Sequence, residues 1–232
     1  MVKTKQVRDH YDTISEDYES QDPTIGKRLR KILSHVDLGK KTVLDVAGGT
    51  GYIGQTIKQM GGTYINIDIS TGMLSLAKEK LSRMKGDHLL VLSDVHNIPL
   101  RSNMVDVALV SEVLEHVQNP TLVLREVNRV LKPDGKIIVT NPNPFWAPIQ
   151  FVAEKVKYKA PEGPHTYIYH RALMKTIRLE GFSINTVDID FMPFDRGIWR
   201  LLESSLRGTI LDNLALKHYI VATKTENVQS TS

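Results

Sequence analysis

Residues 43–54 read VLDVAGGTGYIG, an apolar strand broken by one acid that runs into a glycine-rich turn and then into a helix. Asp45 stands where the first strand ends, and Gly48, Gly49 and Gly51 let the backbone turn tightly and approach a ligand with no side chain between. Gly49, Gly51 and Gly54 also satisfy G-x-G-x-x-G, a pattern shared by several adenosine-containing cofactors. The carboxylate of Asp45 separates them. A fixed negative charge there repels a pyrophosphate laid on the turn, but it suits a cationic amino acid tail. S-adenosylmethionine carries such a tail, with an ammonium group and a sulfonium.

Working outward, residues 63–69 (TYINIDI) alternate apolar and polar and reach Asp68, about 20 residues past the first strand, where an acid holds ribose hydroxyls. Residues 89–94 (LLVLSD) make a third strand ending at Asp94, placed to accept from an adenine amino group. Residues 104–110 (MVDVALV) make a fourth, followed by SEVLEHV and the helix TLVLREVNRVLK. Pro133, Asp134 and Gly135 turn the chain into the fifth strand, KIIVTN. The polar strand ends are carboxyl ends, the side on which open α/β sheets bind ligands. Downstream come an amphipathic helix closed by Gly181, the strand SINTVDIDF, helical character over 195–211 and a last strand, HYIVATK.

Over roughly residues 40–142 this chain of motifs resembles the class I S-adenosylmethionine-dependent methyltransferases. Asp45 to Gly51 is similar to the family's D-x-G-x-G-x-G, with Ala47 in place of the first glycine. The resemblance implies that Asp45, Ala47, Gly48, Gly49 and Gly51 cradle S-adenosylmethionine and that Asp68 holds its ribose. It assigns Ile69 and Met73 to the wall over the adenine, Asp94 and Val95 to the adenine edge, and Ser111 to the fourth strand end. The fold expected is α/β, a doubly wound Rossmann-like seven-stranded methyltransferase sheet with a C-terminal antiparallel hairpin and a lid insertion after the fifth strand. Residues 1–224 are expected to form one domain, with an N-terminal cap over 1–39, the lid over 143–164 and a flexible tail over 225–232.

Composition agrees with one such domain. The 232 residues carry a formal charge of +4 with a pI near 9.1 and no cysteine, so neither a disulfide framework nor a cysteine metal site is available. No apolar run approaches the ~20 residues of a membrane span. No signal-peptide pattern is read at the start, and a cytoplasmic location is expected. Lys27, Arg28, Arg30, Lys31, Lys40 and Lys41 cluster ahead of the first strand. Such a run suits RNA or anionic lipid, but the plainer reading is a solvated helix face.

Segments outside the cofactor core choose the substrate. In HYDTISEDYES, Tyr11, Ile14 and Tyr18 recur at helical spacing. Either the two tyrosines fold over the cofactor, as in the Y-D-x-x-(small)-x-x-Y segment of many methyltransferases, or they pack on the core with wet hydroxyls. The proline-bracketed lid sets Phe145, Trp146, Ile149, Phe151 and Val152 against Lys155, Lys157 and Lys159. It reads as an apolar lid, a membrane-surface helix or a dimer contact, and the oligomeric state is left open.

The chemistry centres on SEVLEHV. At i, i+3 and i+4, Glu112, Glu115 and His116 would leave one helical turn from one face. Two carboxylates and an imidazole suit a divalent ion such as Mg2+. The same E-x-x-E-H is similar to that of ubiquinone-biosynthesis O-methyltransferases, where it is linked to a metal, and PEGPH resembles their P-x-G-x-H, which would add His165 as a ligand. The simpler alternative makes His116 a general base. His10, His35, His88, His96, His170 and His218 sit in no pattern that singles them out. The activity expected is O-methylation of a small aromatic or apolar acceptor, with C-methylation in a quinone pathway second. RNA methylation, a non-catalytic cofactor-binding protein and a nicotinamide dehydrogenase are the competing classes. DNA is not expected as a partner.

Overall fold

The computed structural model describes residues 3–22, 24–147, 155, 163–190 and 215–225. Most of the expected lid, including Ile149, Phe151 and Val152, the helix expected over 195–211 and the tail beyond 225 lie outside the described residues.

Seven strands form one sheet: β1 (Thr42–Val46), β2 (Thr63–Asp68), β3 (His88–Leu92), β4 (Val105–Ser111), β5 (Leu131–Pro142), β6 (Phe182–Asp190) and β7 (Lys217–Lys224), in the order β3-β2-β1-β4-β5-β7-β6. Pairings among β1 to β5 are parallel, and β7 enters antiparallel between β5 and β6. The helices are α1 (Thr4–Ile14), α2 (Tyr18–Gln21), α3 (Ile25–His35), α4 (Tyr52–Gln59), α5 (Thr71–Ser82), α6 (Pro120–Val130) and α7 (His170–Leu179). This is the expected doubly wound sheet with its antiparallel hairpin.

The strands alternate between two cores because side chains leave a strand on opposite faces. Leu44 and Val46 of β1 pack with Val123, Leu124, Val127 and Val130 of α6 and with Leu173 and Ile177 of α7. Val43 packs on the other face with Ile32 of α3, Ile53 and Ile57 of α4, and Ala77 and Leu81 of α5. The four α6 residues recur at helical spacing and are wholly buried, each worth ~1.5–3 kcal/mol against exposure. Asn119 caps α6, its Oδ1 accepting from Leu122 N, and Pro120 fills the first turn, where its missing N–H has no intrahelical partner to lose.

Two boundaries shift. β5 begins at Leu131 rather than at Lys136, so the Pro133–Gly135 turn lies inside its span, with a register irregularity opposite Val105 and Val107. β3 stops at Leu92, leaving Asp94 on the turn beyond it. No helix among the described residues is long and apolar enough to cross a membrane.

Candidate active site

The carboxyl ends of β1, β2 and β4 and the turn after β3 open onto one cleft, on the side of the sheet where open α/β folds bind ligands. Ala47 and Gly49 line it from the first turn, and Asp68, Ile69 and Met73 from the second. Asp94, Val95 and His96 line it from the third, and Ser111, Glu112 and His116 from the fourth. Thr4, Val7, Tyr11 and Tyr18 close it from the N-terminal helices. Both tyrosines therefore face the cleft. Burial pushes the Tyr18 phenol up to about 12, so it stays neutral.

The turn after β1 is left-handed at Ala47 (φ 54°), Gly49 (φ 54°) and Gly51 (φ 71°). At Ala47 this conformation carries a steric cost of ~1–2 kcal/mol that the family's glycine avoids. Asp45, Gly48 and Gly51 do not line the cleft; they stand behind it. Asp45 is buried and accepts from the Tyr64 hydroxyl at 2.8 Å. A Cβ on Gly48 would fall 2.6 Å from the Asp45 carboxyl, so the glycine is what lets that carboxyl sit under the turn. Burial raises Asp45 to about 7 against the lowering pull of the Tyr64 hydrogen bond. Gly51 packs its Cα face on Ala77 and Leu81.

Asp68 accepts Gly49 N–H at 2.9 Å and Ser70 N–H at 2.8 Å, one on each oxygen. Its second lone pairs are available to hydroxyl donors. Asp94 accepts from both the backbone and the ring of His96, at 2.9 and 2.6 Å. Because Asn119 N–H donates to His96 Nε2 at 3.2 Å, the ring proton lies on Nδ1, pointing at Asp94. The sequence reading passed over His96, although its spacing of two from Asp94 was a legible signal.

The SEVLEHV segment is not one helical turn. β4 stays extended through Ser111, Glu112 is left-handed (φ 57°), and only Leu114–His116 coil, as a short 3-10 turn. The expected shared face is thereby lost. The Glu112 carboxylate is drawn away by Arg28, 2.8 Å off, and by Lys217. Glu115 is buried and lines a separate hollow with His165. Among the described residues no three His, Cys, Asp or Glu side chains gather as a metal requires. The residues do not fit the Mg2+ ion that the spacing suggested.

His116 is placed differently. Its Nδ1 lies 3.0 Å from the Pro164 carbonyl, which only accepts, so Nδ1 carries the proton. Nε2 is thereby left as the basic atom, and the Tyr11 hydroxyl approaches it at 3.3 Å. The 163–166 loop that supplies this carbonyl is held by Thr166 N–H donating to Glu115 O at 2.6 Å. The ring centroids of His116 and His165 are 6.0 Å apart.

The basic cluster is only in part a solvated face: Arg30 and Lys40 are exposed, whereas Lys27, Arg28 and Lys31 meet acids of the chain. Arg28 is buried between Asp22, at 3.0 Å, and Glu112, and these carboxylates hold its guanidinium above its ordinary range in spite of burial. Lys31 lies 2.7 Å from Asp188, and Lys27 lies 3.4 Å from Asp190. These acids belong to β6, beyond the reach of local sequence patterns.

A Rossmann-like sheet with a glycine turn, acids after β2 and β3, and a histidine past β4 defines a nucleoside-cofactor transferase site. The methyltransferase domain model matches residues 44–139. The chain is 30% identical over 168 residues to the demethylmenaquinone methyltransferase of Staphylococcus haemolyticus, covering 68% of this chain and 70% of that one. It is 32% identical over 120 residues to the ubiquinone/menaquinone biosynthesis C-methyltransferase UbiE of Paraburkholderia xenovorans, covering 50% and 49%. The chain thus spans about half the length of that relative. In fold it is similar to the [4+2]-cyclase SpnF, with a TM-score of 0.71 at 18% identity over 97% of each chain. A possible histamine N-methyltransferase of Thermotoga maritima superposes with a TM-score of 0.68 at 20% identity, over 94% of this chain and 100% of that one. The chain belongs to the class I S-adenosylmethionine-dependent methyltransferase family.

Proposed function

We propose that the protein transfers a methyl group from S-adenosylmethionine to a small hydroxylated ring, with His116 as the general base. The observation that carries this reading is the placing of His116, a residue of the cleft wall with Nδ1 3.0 Å from the Pro164 carbonyl and Nε2 3.3 Å from the Tyr11 hydroxyl. The residues present fit the cofactor: Gly49 lines the cleft with no Cβ, the Asp68 carboxylate would take ribose hydroxyls, and Asp94 and Val95 would hold an adenine edge. When bound, S-adenosylmethionine supplies a methyl group already activated by its sulfonium. The chain's contribution is placement and exclusion of water, with α1 and Tyr18 over the cleft. His116 Nε2 takes the hydroxyl proton of the acceptor, which raises the electron density of the ring oxygen and of the carbon beside it. On the carbon path the new carbon–methyl bond would form as the methyl–sulfur bond breaks, and the ring C–H proton would then leave to restore the ring.

Sequence motifs alone favoured transfer to oxygen. The UbiE relative is a C-methyltransferase, so we read ring-carbon methylation as the first choice and O-methylation as the second. A small-molecule acceptor is also favoured over RNA, because Lys27, Arg28 and Lys31 are paired with acids of this chain. The deciding experiment incubates the protein with trideuteromethyl-labelled cofactor and demethylated quinols or catechols, and locates the label by mass and NMR spectra. Label on a ring carbon supports the first choice and label on oxygen the second. NADH binding with no S-adenosylmethionine binding by calorimetry would sink both.

A further inference from the structure

Helix α1 roofs the cleft, yet only Val7 of its eleven residues is buried, so apolar packing does little to hold it there. A polar clamp holds it instead. Asp12 Oδ1 accepts from Ser70 Oγ at 2.6 Å, from Gly72 N–H at 3.0 Å and from Thr71 Oγ1 at 3.4 Å, on the N-cap and first turn of α5. The approach is close because residue 72 is glycine: a Cβ there would meet Ser15 Oγ at 2.8 Å. Ser70 also donates its backbone N–H to Asp68 Oδ1 at 2.8 Å, so clamp and cleft share one residue. Glu19 makes a second tie, to Lys80 and Thr50. Tyr11, which meets His116, is Asp12's neighbour in the chain.

We infer that Asp12 is a positioning residue: by clamping α1 to α5 it closes the roof and sets the Tyr11 hydroxyl against His116. Through Ser70 the clamp also tightens when a ligand engages Asp68. Only this second half rests on the cleft being the S-adenosylmethionine site. The hydrogen bonds to Asp12 resist acid, because together they outweigh its burial and keep its carboxyl below the usual range.

Hydrogen–deuterium exchange on the full chain tests both halves, using wild type, Asp12→Ala and Asp12→Asn with S-adenosylhomocysteine as the probe. Without ligand, exchange over residues 4–14 should rise about tenfold in D12A, the equilibrium worth of a charge-assisted hydrogen bond. D12N keeps an acceptor for Ser70 and Gly72 and should return exchange to near wild type. Peptides of β4 should be unchanged throughout. Uniform acceleration that includes β4 would overturn the inference, because Asp12 would then only support the fold. Unchanged exchange over 4–14 in D12A would overturn it as well. S-adenosylhomocysteine should slow exchange over 4–14 in wild type and D12N but not in D12A, and equal protection in D12A removes the coupling. If the probe fails to bind wild type, the cofactor reading falls, and the ligand-free comparison still judges the clamp.

Discussion

The Tyr11 hydroxyl and His116 Nε2 lie 3.3 Å apart across the cleft, one from a roofing helix and the other from the turn past β4. Since the Pro164 carbonyl holds the His116 proton on Nδ1, Tyr11 donates toward the nitrogen that would receive the acceptor's proton. An acceptor hydroxyl has to share or replace that contact.

His116→Ala should therefore lower the turnover rate by about 10²–10⁴-fold, the usual worth of general base catalysis. Cofactor affinity should change little, because β1 stands in the sheet between β4, which leads to His116, and β2 and β3, which lead to Asp68 and Asp94. Tyr11→Phe should lose less, about tenfold, as one hydrogen bond is worth ~1 kcal/mol. Single-turnover rates beside calorimetric affinities separate the two effects. Unimpaired turnover in H116A would remove the base.

Asp45 predicts a proton signature. Burial lifts it to about 7, against ~3.9 for a free aspartate. A raised acid stabilises the fold below its unfolded value and loses that contribution as pH rises, here between about 4 and 7. A cationic ligand tail near the turn lowers this pKa, so binding at pH 7 should release about half a proton. Calorimetry in buffers of different ionisation enthalpy reads the release. Asp45→Asn should abolish it and flatten the stability–pH slope across the same window. Buffer-independent heats in wild type would show that Asp45 does not sense the ligand's charge.

Gly54 closes the helix–strand contact behind the glycine turn. A Cβ there would fall 2.5 Å from the Tyr64 ring, so Gly54→Ala must displace the residue that donates to Asp45. Overpacking of this kind costs ~1–3 kcal/mol. A melting temperature lowered by about 3 °C or more is expected for a chain of this size. An unshifted melt would mean that Tyr64 has room to move.

Arg28 joins α3 to Glu112 and Asp22. Replacing it with Met removes the cation that Asp22 and Glu112 share and leaves Lys217 beside Glu112. Breaking a buried pair costs ~3–5 kcal/mol, and the low end applies because Glu112 is partly exposed. Urea unfolding of Arg28→Met, Glu112→Gln and the double variant gives the coupling. Strict additivity would mean that the pair adds no stability.

The legible part of the fold was the part written in short-range pattern. Alternation at 63–69, the acid–glycine sequence at 45–51 and the 3.6 period of α6 each depend on neighbours, and each placed its element correctly. SEVLEHV has helical spacing too, yet Glu112 turns left-handed and pairs with Arg28, 84 residues away. Pairing at that distance leaves no periodic trace. Lys27 and Lys31 of the basic run depart from a solvated face for the same reason, since their partners Asp190 and Asp188 come only with β6. His96 was the avoidable miss, with Asp94 two residues away.

The place of β7 bears on how the molecule assembles. It lies between β5 and β6, and both precede it in the chain. Until residues 217–224 arrive β6 has no sheet neighbour and β5 has only β4, so the order of synthesis and the order of the sheet disagree. Lys217 of that late strand also reaches Glu112 beside the cleft. A nascent chain halted before residue 217 holds the glycine turn and its acids, but it has an open edge on β5 and an ion cluster short of one cation. The Glu112 side of the cleft is thus completed by long-range pairing, of the kind whose loop-closure entropy makes it slow to form.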